Sequence, residues 1–333
     1  MKSGIFELVE NWHNNETTAV RDAMELIVYA DSLGFDEAWI GEHHFNSFTL
    51  CPAPIALMSY ALARTKHIKI GSAAILLPHY HPIKLAEEIA TLDLLGEGRF
   101  LFGFARGAFP IFDIAMGNNP DNNRKIMLES ATIIHDLLFK DQMRYEGEFF
   151  DINHISIRPH PKGLIPFFIA SVDDATLNIA AQKGYDFLGS FSLSVKRAKE
   201  IYDLFLQNGA TKSFEFVLTR AIYIDEDPVK AKEKAEIGAD IFSQCMLRAN
   251  EANPTFEAII KTTDYEEFRA EFFSKNKILN NAIIGTPQDC LEQILELRKQ
   301  VPFTTLSLKL LSSKIEDSKN ILKLYKEFVI PHL

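Results

Sequence analysis

The chain has 333 residues, 47% hydrophobic and 24% charged, an ordinary globular balance with apolar material for a large core. Its 35 basic residues against 45 acidic ones leave a net charge of −10, which disfavours non-specific binding to nucleic acid. No apolar run approaches the ~20 residues that span a bilayer, and Cys51, Cys245 and Cys290 lack the spacing of a zinc or disulfide framework. Glu7 and Glu10 fall where a signal peptide needs its apolar core, so a reduced, cytoplasmic setting is expected.

Short apolar runs alternate with longer amphipathic ones. The run 4–9 precedes a helical stretch closed by Gly34, a residue suited to a helix C-terminus. Runs 36–41, 68–76 and 99–105 read as strands. Between them lie a helix opened by Pro52 and Pro54 and another with Pro82 in its first turn. A helix begins at "NNRKIMLE". Strands 166–171 and 185–190 flank the helix "DDATLNIAAQKG". A helix near 194–208 leads to the strand 214–224, and 304–310 is the last strand, with a helix over 315–328.

Eight strands separated by helices imply a parallel sheet, and eight such units in this length favour a (β/α)₈ TIM barrel of one domain, residues 1–333. The open doubly wound alternative lacks its nucleotide fingerprint, since no G-x-G-x-x-G follows any strand. Two stretches break the repeat. Residues 143–159 read as a hairpin insertion after the fourth helix. Residues 249–283 are polar and poorly periodic, and read as a mobile lid or insertion before the last βα unit.

In a barrel, function sits at the C-terminal strand ends. There the chain places Glu42-His43-His44, Ala73-Ala74, Ala105-Arg106-Gly107, Ala170-Ser171 and Ser190-Phe191. Arg106 is shaped to clamp a phosphate or carboxylate, and the helix starting near Asp173 offers free N–H groups to an anion. A structural ion pair between Arg106 and Asp173 or Asp174 is the alternative. His43, His44, His79 and His81 raise the possibility of a metal, but the last strand supplies no carboxylate. Adjacent strand positions also point to opposite faces, so only one of His43 and His44 faces the barrel mouth. No metal is expected.

The segments "GFDEAWIGEHHF", "IKIGSAAILLPHYHPIKLAEEIATLDLLGEGRFLFGFARG", "NNRKIMLE" and "IGTPQDCLEQI" together resemble the bacterial luciferase-like flavin monooxygenases. The resemblance runs from the first strand to about residue 205 and resumes at 283. It implies a barrel that uses reduced FMN and O₂ to form a peroxyflavin, which oxidises an apolar aldehyde- or ketone-like substrate. A separate flavin reductase would supply the FMN, and the oxygenase would be a homodimer through the helices 52–64 and 82–95. Two alternatives share the scaffold: a non-catalytic flavin-binding protein and a deazaflavin-dependent oxidoreductase.

Carried over by position, His43 is the catalytic histidine and His44 supports it. Glu42 is a carboxylate on the flavin side. Ala73 and Ala74 lie against the flavin ring and are joined in the family by a cis peptide. Arg106 and Thr176 meet the phosphate, and Ala170, Ser171, Ser190 and Phe191 complete the cofactor site. Phe6, Phe45, Phe109 and Phe112 are expected around the substrate. The chain departs from the pattern at Ala105, where luciferase has a cysteine, and at Val172-Asp173, where it has Glu-Ser. An aspartate there repels a phosphate unless it points away or caps the helix.

Overall fold

The computed structural model describes residues 1–211, 214–248 and 263–333. Eight parallel strands close into a barrel. They are β1 (Lys2–Glu7), β2 (Glu37–Ile40), β3 (Lys69–Ser72), β5 (Phe100–Ala105), β8 (Phe167–Ile169), β9 (Asp186–Gly189), β10 (Phe216–Ile224) and β12 (Thr305–Leu310). The ring runs in that order, and β12 returns to β1 with Ile5 opposite Leu308. Its closure also rests on the β9–β10 pairing, where Leu188 faces Leu218's neighbour Val217.

The remaining strands are accessory. β4 (Ile75–Leu76) continues β3 after a break and pairs with β5. β6 (Met143–Glu146) and β7 (Asp151–Ile155) form a separate antiparallel pair. β11 (Ile283–Gly285) adds to the outer edge of β10. Short apolar runs with alternating outward residues produce this sheet because outward side chains meet the surrounding helices while inward ones fill the barrel.

The interior plug is Trp39, Leu101, Phe168, Leu188 and Val217, all buried. Trp39 is accommodated because position 71 is glycine: a Cβ there would lie 2.4 Å from the indole. The indole meets Phe168 edge-on at 5.0 Å, a favourable aromatic geometry, and its N–H donates to Glu37 Oε2 at 3.0 Å. At the N-terminal rim, Lys2 bridges Glu37 and Glu215 at 2.9 and 3.0 Å. The plug and this rim fill the lower end of the barrel.

Several elements differ from the sequence expectation. The run 68–76 is two strands, interrupted at the cis peptide between Ala73 and Ala74. A short helix, Pro110–Ala115, follows β5. Of the expected lid 249–283, the described part holds helices Thr263–Phe272 and Lys275–Asn280, and β11 begins at its last residue, Ile283; residues 249–262 lie outside those described. No helix among the described residues is long and apolar enough to cross a membrane.

Candidate active site

A cavity of about 910 Å³ opens at the C-terminal strand ends. Its floor is small-residue backbone: Ala73 and Ala74, Ala105, Ala170 and Gly189 all line it. Below it Gly103 lets β5 approach β3 closely, since a Cβ there would fall 2.0 Å from the Ser72 carbonyl oxygen. The Ser72 hydroxyl donates to Gly103 O at 2.7 Å and accepts from Gly103 N–H at 2.9 Å. The floor is therefore flat because side chains are absent and rigid because the strands beneath are locked.

One wall carries the histidine. β2 ends at Ile40, and the chain leaving it carries His43 to the cavity wall. Its Nδ1 shares a hydrogen bond with Thr49 Oγ1 at 2.7 Å, and its backbone N–H donates to Cys51 O at 3.3 Å. Burial, and secondarily the neighbouring His44, push its pKa down to about 4. The imidazole is thus neutral at neutral pH, with Nε2 free of any partner among the described residues. Phe109 meets this ring edge-on at 5.7 Å and Phe112 lies 6.3 Å away.

Glu42 also lines the cavity, but its carboxylate is committed. It accepts from Leu76 N–H at 2.9 Å and Tyr80 O–H at 3.1 Å, and shares a 2.7 Å contact with His44 Nε2. His44 itself does not line the cavity. It stacks on His79 at 5.6 Å, on the side away from the opening. The candidate pair therefore splits into one cavity residue and one packing residue, and His44 touches the site through Glu42 and through the Phe112 ring, 5.5 Å away.

Most other candidate residues converge. Phe6, Phe109, Phe112, Phe191 and Ser190 line the cavity, as do Arg106 and Ser171. Two do not. Phe45 is on the outer side, its ring packed on His44 and Phe112, because its left-handed backbone (φ 52°) turns it away. Thr176 is buried behind the helix start and its hydroxyl donates to Asp173.

The structure adds residues that sequence reasoning did not reach. Phe272, Phe273 and Lys277 line the cavity from the helices before β11, and Phe273 stacks on Phe109 at 5.9 Å. The adjacent pair of phenylalanines within a polar stretch was the available signal. Arg197, at the start of the helix Val195–Gln207, also lines the cavity. Leu8, Met127 and Ser192–Ser194 do so without any local motif.

At the far end lies a charged group. Asp173 caps the helix Asp174–Gln182: its Oδ1 accepts from Thr176 N–H at 2.9 Å and from the Thr176 hydroxyl at 2.7 Å. Those two bonds, more than nearby Arg124 and Arg106, hold its carboxyl below the usual range. Arg124 is 3.4 Å away, and Arg197 pairs with Asp174 and Glu200. Arg106 makes no side-chain hydrogen bond or ion pair among the described residues and lines the cavity mouth.

Ala73 and Ala74, His43 and Arg106, which the resemblance implied for the ring, the acid–base step and the phosphate, thus line one cavity. Residues 1–304 match the family described as luciferase-like monooxygenase. The chain belongs to that family. The alkanal monooxygenase alpha chain of Photorhabdus luminescens is 26% identical over 299 residues, 84% of this chain and 82% of that one. The monooxygenase RslO1 from Streptomyces bottropensis superposes with a TM-score of 0.86 at 22% identity, over 100% of this chain and 99% of its own. The oxygenating constituent of 3,6-diketocamphane monooxygenase from Pseudomonas putida, a type II Baeyer-Villiger enzyme solved with FMN, gives 0.79 at 20% identity, over 99% and 98%. This luciferase-like chain is a flavin-dependent oxidoreductase.

Proposed function

We propose that this chain is the oxygenase component of a two-component monooxygenase that uses reduced FMN, supplied by a separate reductase, and O₂ to oxidise an apolar aldehyde- or ketone-like molecule. The observation that carries this reading is the position of His43, between a floor of bare backbone and an aromatic wall. The flavin ring fits the floor, where Ala73, Ala74, Ala105 and Ala170 offer backbone and no side chain to obstruct it. The phosphate end fits less well, because Asp173 already occupies the helix start. When bound, reduced flavin supplies the two electrons that let one oxygen atom enter the substrate and the other leave as water.

The protein's own contributions follow from its residues. His43, neutral and held at Nδ1 by Thr49, holds or accepts a proton at Nε2 beside the floor. Glu42 keeps the backbone after the cis peptide in place through Leu76 N–H. Phe6, Phe109, Phe112 and Phe273 exclude water and select an apolar substrate. The helices Thr263–Phe272 and Lys275–Asn280 act as a lid over that wall. The protein pairs as a homodimer through Pro54–Arg64 and Pro82–Leu95, where Tyr60, Leu94 and Leu95 are exposed.

Stopped-flow mixing of the reduced-FMN complex with oxygen tests the reading. A transient absorbing species distinct from reduced and oxidised flavin, whose decay an aldehyde or ketone accelerates, is expected. Immediate return to oxidised flavin sinks the monooxygenase assignment. A deazaflavin enzyme on this barrel would be indifferent to oxygen, and a storage protein would bind oxidised flavin without substrate-stimulated oxygen use.

A further inference from the structure

Asp173 stands where a phosphate would meet the helix start. The Thr176 N–H and hydroxyl, the two groups that would receive a phosphate oxygen, are both donated to its Oδ1 at 2.9 and 2.7 Å. The carboxyl is ionised, held down chiefly by those same bonds. The positive charge around it is already matched: Arg124 faces Asp173, and Arg197 faces Asp174 and Glu200. Arg106 is the remaining guanidinium, and it too feels the Asp173 charge. A phosphate arriving here must displace a carboxylate from its cap and enter a field that carries no surplus positive charge.

We infer that Asp173 is a specificity residue that fills the anion slot of the helix Asp174–Gln182 with the protein's own carboxylate, so that the site selects its flavin by ring and ribityl chain and discriminates little between riboflavin and FMN. This rests on the reading of the cavity as a flavin site. Elsewhere the floor is backbone and the wall is aromatic, and the one guanidinium without a side-chain partner among the described residues, Arg106, already faces the Asp173 charge. Asp173 is about half exposed, so its removal leaves the core intact.

The test is equilibrium binding of oxidised FMN and of riboflavin, read by quenching of flavin fluorescence, to the full chain and to Asp173→Ser and Asp173→Asn. Both replacements keep a side-chain cap and remove the charge. In the unmodified chain the two dissociation constants should agree within about threefold. Each variant should bind FMN at least tenfold tighter than the unmodified chain does, with riboflavin unchanged. A wild-type preference for FMN above thirtyfold, or variants that leave the FMN-to-riboflavin ratio where it was, overturns the assignment while leaving the flavin reading standing. Failure of both flavins to bind any of the three proteins overturns the assignment and the flavin reading together.

Discussion

Glu42 accepts a hydrogen bond from the Leu76 N–H at 2.9 Å, and that contact joins the end of β2 to the chain just beyond the Ala73–Ala74 peptide. The same carboxylate holds Tyr80 and His44. One side chain thus fixes the cavity floor, the turn after it and the histidine behind the site. Replacing Glu42 with alanine takes the acceptor from the buried Leu76 N–H and the half-buried Tyr80 hydroxyl and the partner from His44 Nε2. A loss of about 3 kcal/mol is expected, since each orphaned group costs about 1–3 kcal/mol and neighbours do not add fully. Urea unfolding should show the midpoint falling at unchanged slope; an unchanged midpoint would mean that other acceptors replace Glu42.

His43→Ala should slow turnover about 10²–10⁴-fold, the usual contribution of a placed acid–base group. Flavin affinity should change less than about threefold, because the floor carries the ring. Equal losses in both would make His43 a packing residue.

The same histidine gives a pH signature. Its folded pKa of about 4 lies below the ordinary value near 6.5. Between those values the unfolded chain takes up a proton that the folded site refuses. Its contribution to stability is therefore complete above about pH 6.5 and is lost progressively as pH falls toward 4. His43→Gln, which cannot titrate, should flatten that part of the curve in melts taken from pH 7 to pH 4.

Much of this architecture was legible in the chain. The eight barrel strands are short, mostly apolar or aromatic runs separated by helical stretches; alternation allowed only one of His43 and His44 to face the mouth, and the family resemblance picked His43. The cis peptide at Ala73–Ala74 was implied by the family resemblance alone, since the strand pattern of 68–76 runs straight across it. Two features were not legible, each for a physical reason. The strand Ile283–Gly285 has three residues, too short for a period to register. Phe272 and Phe273 become site residues only because their helix is carried back over β5's aromatic loop, a tertiary event. The Asp173 cap was foreseeable from Asp-x-x-Thr, but its partner Arg124 comes from the helix Asn123–Phe139, more than forty residues earlier.

Gly103→Ala should be strongly destabilising although it adds one methyl. That methyl would sit 2.0 Å from a backbone oxygen of β3, which cannot rotate away, and the Ser72 clasp would open. About 3 kcal/mol, the upper end for overpacking, is expected. Calorimetry would register this as a fall in Tm; a change within 2 °C would show that the strands can separate without cost.

Glu7, Glu10 and Lys309 form a buried group outside the cavity, where β1 and β12 end. Lys309 pairs with Glu10 and lies 5.5 Å over the Phe242 ring. One ammonium cannot balance two carboxylates in so dry a place, so one proton remains. Burial outweighs the attraction of Lys309 and raises Glu7 to about 7. The folded chain then holds a proton between about pH 4.5 and 7 that the unfolded chain releases, and stability falls as pH rises through that window. Glu7→Gln, neutral at every pH, should remove this fall and make the protein more stable than wild type at pH 8. Lys309→Met should act in the opposite sense, costing about 3–5 kcal/mol by leaving Glu10 charged and alone. Urea titrations of both variants across pH 4.5 to 8 separate the two effects; a Glu7→Gln curve parallel to wild type would place the retained proton elsewhere.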